Sequence, residues 1–127
     1  MKKIILYLFF CFIVSFNCFA EWSLASTTDE GKTEFYIDKE NIRVDGKNRY
    51  FWLLMNLKDI KSDRDYKSTL TYIYLDCKIF RSKHLNFLVK PLEMGKGKTS
   101  EEFSPPEKWY YAQPGTSEEE VYKKVCS

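Results

Sequence analysis

Thr69-Leu70-Thr71-Tyr72-Ile73-Tyr74-Leu75-Asp76-Cys77 alternates without a break, the period of a half-buried strand. Leu70, Tyr72 and Tyr74 fall on one side, and Ile73, Leu75 and Cys77 on the other. Thr71–Tyr74 is wholly β-branched or aromatic, which suits a pleated surface. The segment reads as a central strand whose last residue anchors something else. Cys77 has one plausible partner, Cys126, at the far end of the chain.

That pairing depends on how the N-terminus is read. Met1-Lys2-Lys3 is a short positive region, Ile4–Phe16 is almost wholly apolar, and Cys18-Phe19-Ala20 offers a cleavage signature. The pattern predicts a secretory signal over residues 1–20, cut after Ala20, and a single domain over residues 21–127. A retained membrane anchor is the bland alternative, but Ser15 and Asn17 interrupt a run already short for a span. A lipoprotein acylated at Cys18 is a second alternative; Ser15-Phe16-Asn17 lacks the pattern that such processing prefers. Cleavage removes Cys11 and Cys18 and leaves Cys77 and Cys126. In an oxidising compartment these two are expected to form a disulfide, with free thiols or an intermolecular bond as the alternatives.

The formal charge of +2 is accounted for by Lys2 and Lys3, so the remaining domain is neutral. Overall basicity therefore gives no case for nucleic-acid binding. The charge is uneven: a basic middle, Arg43–Lys98, lies between two acidic ends. Such a middle is either a surface patch for acidic partners or a region neutralised by its own flanks.

Working outward, residues 22–26 and 33–37 predict a hairpin, turned at Gly31. Residues 38–41 read as one helical turn with Asp38 as its cap. Ile42–Val44 is a short strand ending at the hairpin signal Asp45-Gly46. Arg49–Leu57 is apolar on both sides, so it belongs at the centre of the sheet. Lys58–Lys67 reads as a mobile charged loop; its Asp59, Asp63 and Asp65 lack the glycine and closing glutamate of a calcium loop. Residues 78–89 form another strand, with Arg81 and Lys83 on one face and Ser82 and His84 on the other. Met94–Lys98 reads as a flexible connector, and Thr99–Phe103 as an edge strand. Trp109, Tyr110 and Tyr111 are expected to pack a loop onto the sheet. Thr116 and Glu119 have capping-box spacing, which opens a helix over Ser117–Cys126. The expected fold is α+β: an antiparallel sheet of about six strands, with a C-terminal helix packed on it and held by the disulfide.

No catalytic constellation emerges. His84 is the only histidine, so a two-histidine metal site is excluded. No activated nucleophile neighbours it, and no cofactor or metal is implied. The reading is a non-enzymatic binding protein. Arg81, Lys83, Lys96 and Lys98 are the candidate ligand-binding residues, as a positive patch on a neutral domain.

The ordered set Trp22, Phe35-Tyr36-Ile37-Asp38, Ile42-Arg43, Asp45-Gly46, Trp52, Asp76-Cys77, Arg81, Met94-Gly95-Lys96-Gly97, Trp109-Tyr110, Pro114-Gly115-Thr116 and Cys126 resembles the surface-adhesin protein E family of Gram-negative bacteria. The resemblance spans nearly all of residues 21–127. It implies an antiparallel sheet with a disulfide-tied C-terminal helix, and adhesion to host matrix or serum proteins such as vitronectin and laminin. The expected location is the cell surface or outer membrane, with no membrane span after cleavage. The alternative is a soluble periplasmic binding, inhibitor or accessory module of an envelope enzyme. The expected partner is a protein ligand, with homodimer formation left open. Intact-mass measurement of protein purified from the envelope checks the leader: the expected chain starts at Glu21 without lipid, and a diacylglyceryl chain starting at Cys18 would overturn it.

Overall fold

The computed structural model describes residues 21–28, 30–58 and 64–127. The predicted leader over residues 1–20 and the carboxylates Asp59 and Asp63 lie outside the described residues. Eight strands and one α-helix are present in them: β1 (Ser23–Thr28), β2 (Thr33–Ile37), β3 (Arg43–Asp45), β4 (Asn48–Leu57), β5 (Ser68–Asp76), β6 (Arg81–Lys90), β7 (Glu101–Phe103), β8 (Tyr110–Tyr111) and α1 (Ser117–Cys126).

All pairings are antiparallel, in the order β1-β2-β4-β5-β6-β7. The two long strands β4 and β6 each share one edge between two shorter neighbours. β2 pairs with Leu53–Leu57 of β4, and β3 with Asn48–Tyr50. β7 pairs with Phe87–Val89 of β6, and β8 with Arg81 and Ser82. This sharing raises the strand count above the expected six. Tyr110-Tyr111, expected as loop packing, is itself a strand because its backbone completes the β6 edge. The hairpin signal Asp45-Gly46 is used one residue later. Asp45 pairs with Asn48, so Gly46 and Lys47 make the turn, with Gly46 at φ 59°, a conformation that only glycine adopts freely.

Two bulges decide which side chains meet the helix. In β1 the register slips at Ala25, so Ala25 and Ser26 are both buried in succession. In β6 it slips at Leu85. Ser82 and His84 share a face opposite Arg81 and Lys83, as expected, and that face meets α1, but beyond the bulge the parity reverses. Phe87 and Val89 then share the helix side with Thr71 and Thr69, their partners across β5. A one-residue slip moves every later side chain to the other face. Here it keeps the apolar residues together.

The core lies on this helix side: Ile37, Phe51, Ile73 and Leu75 from the sheet, against Val121, Tyr122 and Val125 from α1. Thr116 caps α1 by accepting the Glu119 N–H at 3.3 Å. Glu118–Glu120 occupy the first turn and Lys123 and Lys124 the last, each suited to the helix dipole. Lys124 Nζ donates to the Ala25 carbonyl and Ser117 Oγ to that of Thr27. α1 thus occupies backbone acceptors of edge strand β1 that would otherwise invite another strand.

Two expectations about turns need correction. Asp38 makes no side-chain cap to its 3-10 turn; Asn41 Nδ2 donates to its carboxylate at 2.7 Å instead. The connector read as flexible is pinned to the sheet. Met94 N–H donates to Asn56 Oδ1 and Gly95 N–H to Ser68 Oγ, both at 2.9 Å, from side chains that are almost fully buried. Buried polar groups need such partners, and the connector's backbone supplies them.

Cys77 follows directly on β5 and is bonded to Cys126, the last residue of α1, with Cα atoms 5.7 Å apart. The bond closes a sequence separation of 49, which constrains the unfolded chain by about 4 kcal/mol in the chain-entropy model. Cys126→Ala is therefore expected to lower unfolding stability by a few kcal/mol and to make α1 the first site of proteolysis. Equal denaturant midpoints for oxidised wild type and variant would contradict this.

Candidate ligand-binding face

The side of the sheet away from α1 carries the aromatics. Register makes this unavoidable: Tyr50 pairs with Tyr74 and Trp52 with Tyr72, and directly opposed residues share a face. Ring centroids are 4.9 Å apart for Trp52–Tyr72, 6.1 Å for Tyr72–Tyr50 and 4.8 Å for Tyr50–Tyr74. Trp109 extends the row from the segment before β8, 6.0 Å from Tyr74. Aromatic pairs at these spacings are each worth about 0.5–1.5 kcal/mol beyond their burial. At the other end of this face, Leu54 and Leu70 lie under Gly95 of the pinned connector.

Cations border the row. Arg43 lies over Tyr50 with Cζ 4.9 Å from the ring centre. Arg81 Cζ and Lys83 Nζ both lie over Trp109, at 4.0 and 4.6 Å. Lys83 also reaches Glu107 at 3.3 Å. Arg81 Nε lies 3.4 Å from Asp76 Oδ2, an oxygen that Lys47 approaches to 3.6 Å. The other Asp76 oxygen accepts the Lys78 N–H at 3.0 Å. Burial pushes the Asp76 carboxyl up. The Lys78 N–H, Lys47 and Arg81 together outweigh that and hold it below the usual carboxylate range. Tyr74 moves the other way: desolvation, then Tyr50, Asp45 and Asp76, raise its phenol against the pull of Arg81. The Tyr74 phenol therefore stays neutral at neutral pH.

The four candidate cations are not one patch. Arg81 and Lys83 sit at the start of β6, where Trp109, Asp76 and Glu107 engage them. Lys96 and Lys98 are exposed on the connector, which meets the end of β6: Lys90 Nζ donates to the Gly97 carbonyl and Ser100 N–H to that of Val89. Lys83 and Lys90 lie seven residue steps apart along β6, roughly 20 Å. A connector that follows a long strand necessarily starts at that strand's far end. Trp109, Glu107 and Arg43 were not singled out as part of a site. Only the alternation of Tyr72 and Tyr74, set beside that of Tyr50 and Trp52, signalled an aromatic face.

Among the described residues, no group of three or more His, Cys, Asp or Glu is placed to hold a metal. The face offers flat apolar area with polar tips and cationic edges, the composition enriched at the centres of protein interfaces. Asp76→Asn tests its electrostatic frame. Because the carboxyl is held low, its contribution is complete above the unfolded value near pH 4 and is lost as pH falls through the folded value. The expected loss is roughly 1–3 kcal/mol at pH 7, shrinking toward zero in acid. A wild-type-to-variant gap in urea midpoint that is constant from pH 7 to acid would contradict it.

The family model described as surface-adhesin protein E matches residues 22–127. Among solved structures, Haemophilus influenzae protein E aligns with a TM-score of 0.59 and 19% identity, over 81% of this chain and 83% of that one. Protein E from non-typeable Haemophilus influenzae aligns with a TM-score of 0.53 and 17% identity, over 81% and 74%. At such identity the structures speak to the fold. No curated protein sequence matches this chain. The match over residues 22–127 places this chain in the surface-adhesin protein E family.

Proposed function

We propose that this chain is an exported, non-enzymatic adhesin that binds a host matrix or serum protein, vitronectin or laminin, through the aromatic face opposite α1. The observation that carries this reading is the row Trp52–Tyr72–Tyr50–Tyr74–Trp109, bordered by Arg43, Arg81 and Lys83. Trp, Tyr and Arg are the residues in which interface energy concentrates. Membership of a surface-adhesin family supports the host-directed role. Lys96 and Lys98 are exposed on the connector and act as a separate steering pair, affecting association rate and salt dependence more than affinity.

A second reading is a periplasmic module, favoured by the poor acylation context around Cys18. Protease accessibility of the domain on intact cells separates the two.

The binding reading is tested with immobilised vitronectin and laminin. Trp52→Ala with Tyr72→Ala is expected to weaken binding by about tenfold or more, that is about 1.4 kcal/mol or more, with the folded spectrum retained. Lys96→Glu with Lys98→Glu is expected to slow association and to flatten its dependence on ionic strength. Binding by wild type to neither protein, or full binding by the Trp52/Tyr72 variant, would overturn the proposal.

A further inference from the structure

α1 leaves part of its own side of the sheet open. Between its first two turns and strands β2, β4, β5 and β6 lies a cavity of about 300 Å³. Its walls are mainly apolar, with Leu53, Ile73 and Phe87 from the sheet and Val121 from the helix. Sites of this size and character, with few polar groups, are the usual form of a small-molecule pocket.

The polar wall is His84, Glu118 and Tyr122, and its hydrogen bonding can be followed proton by proton. Tyr122 OH lies 2.7 Å from Glu118 Oε1 and 2.7 Å from Ser82 Oγ. A phenol has one proton. Tyr122 donates it to the carboxylate and accepts from the Ser82 hydroxyl. Burial pushes the Tyr122 phenol above its ordinary range, so it remains the donor. His84 is stacked on Tyr110, with centroids 4.8 Å apart. Burial lowers its imidazole against the opposing pull of Glu118, which leaves it uncharged at neutral pH. Glu118 thus places its carboxylate at the rim of an apolar cavity, with one oxygen accepting from Tyr122. Among the described residues no lysine or arginine forms an ion pair with it. The helix N-terminus offsets only part of such a charge.

We propose that this cavity binds a small organic cation, with an apolar body inside it and a primary ammonium placed on Glu118. The apolar body replaces water against the half-buried walls Phe35, Leu53, Met55 and Phe87. The ammonium donates to the carboxylate oxygen that Tyr122 does not use. An anion is disfavoured, because Glu118 already occupies the helix terminus and His84 adds no charge. The pocket lies on the opposite side of the sheet from the aromatic row, so this inference stands or falls independently of the adhesion reading.

The test is an NMR titration of the folded domain at pH 7 with n-hexylamine, n-hexanol and hexanoate. Hexylammonium is expected to shift the His84 and Val121 signals saturably and to bind most tightly of the three. Glu118→Gln, which keeps an acceptor for Tyr122, is expected to weaken it about tenfold or more. Leu53→Phe, which fills the cavity, is expected to abolish binding of all three. If that variant does not fold, Glu118→Gln decides alone. Hexanol binding as tightly as hexylammonium, unchanged affinity in Glu118→Gln, or no saturable shift by the amine would overturn the proposal.

Discussion

A ten-residue helix is about 15 Å long, while six strands side by side span roughly 24 Å. One such helix cannot cover even one face of this sheet, and the rest of the structure follows from that shortage. Covering the core with so little helix requires that it be held in place. The hold is threefold: the Cys77–Cys126 bond at its end, Val121, Tyr122 and Val125 beneath it, and its polar side chains on the carbonyls of β1. Where the helix stops short, an apolar cavity remains at its first turns.

Among the described residues no α-helix covers the opposite face, which is closed by other means. At one end the connector lays Gly95 over Leu54 and Leu70. At the other, rings lean on rings and cations lie over them. Large amphipathic side chains tolerate this position because a ring can rest on its neighbour while its hydroxyl or indole N–H meets water. The same property makes the face a natural contact surface. It needs little rearrangement to meet a partner, and stacked side chains lose little entropy on binding.

Much of this was legible in the sequence because its periods are unambiguous. The alternation of β5 and the two-sided apolarity of β4 fixed their central places. Thr116 and Glu119 marked the start of α1, and the two cysteines outside the predicted leader named the tether. What was not legible depends on register and partners. The bulge at Leu85 leaves no mark in composition, yet it reverses the faces of Phe87 and Val89. Met94–Lys98 has the glycines of a loose linker, and only Asn56 and Ser68, far away in sequence, reveal that it is pinned. Tyr110-Tyr111 is too short for a period of its own. The basic residues seemed to form one patch because charge counted along the chain ignores the length of β6. Arg81 and Lys83 turned out to be engaged by Trp109, a residue that sequence separation gave no reason to link to them.

The central claim is that the face away from α1 is the contact surface. Hydroxyl-radical footprinting of the domain, free and bound to vitronectin or laminin, tests it most directly because it reads side chains one by one. The account predicts protection of Trp52, Tyr72 and Tyr74 in the complex, with the exposed face of α1 unchanged. Protection confined to α1 or to the Lys96–Lys98 connector, with the aromatic row as reactive as in the free protein, would contradict it.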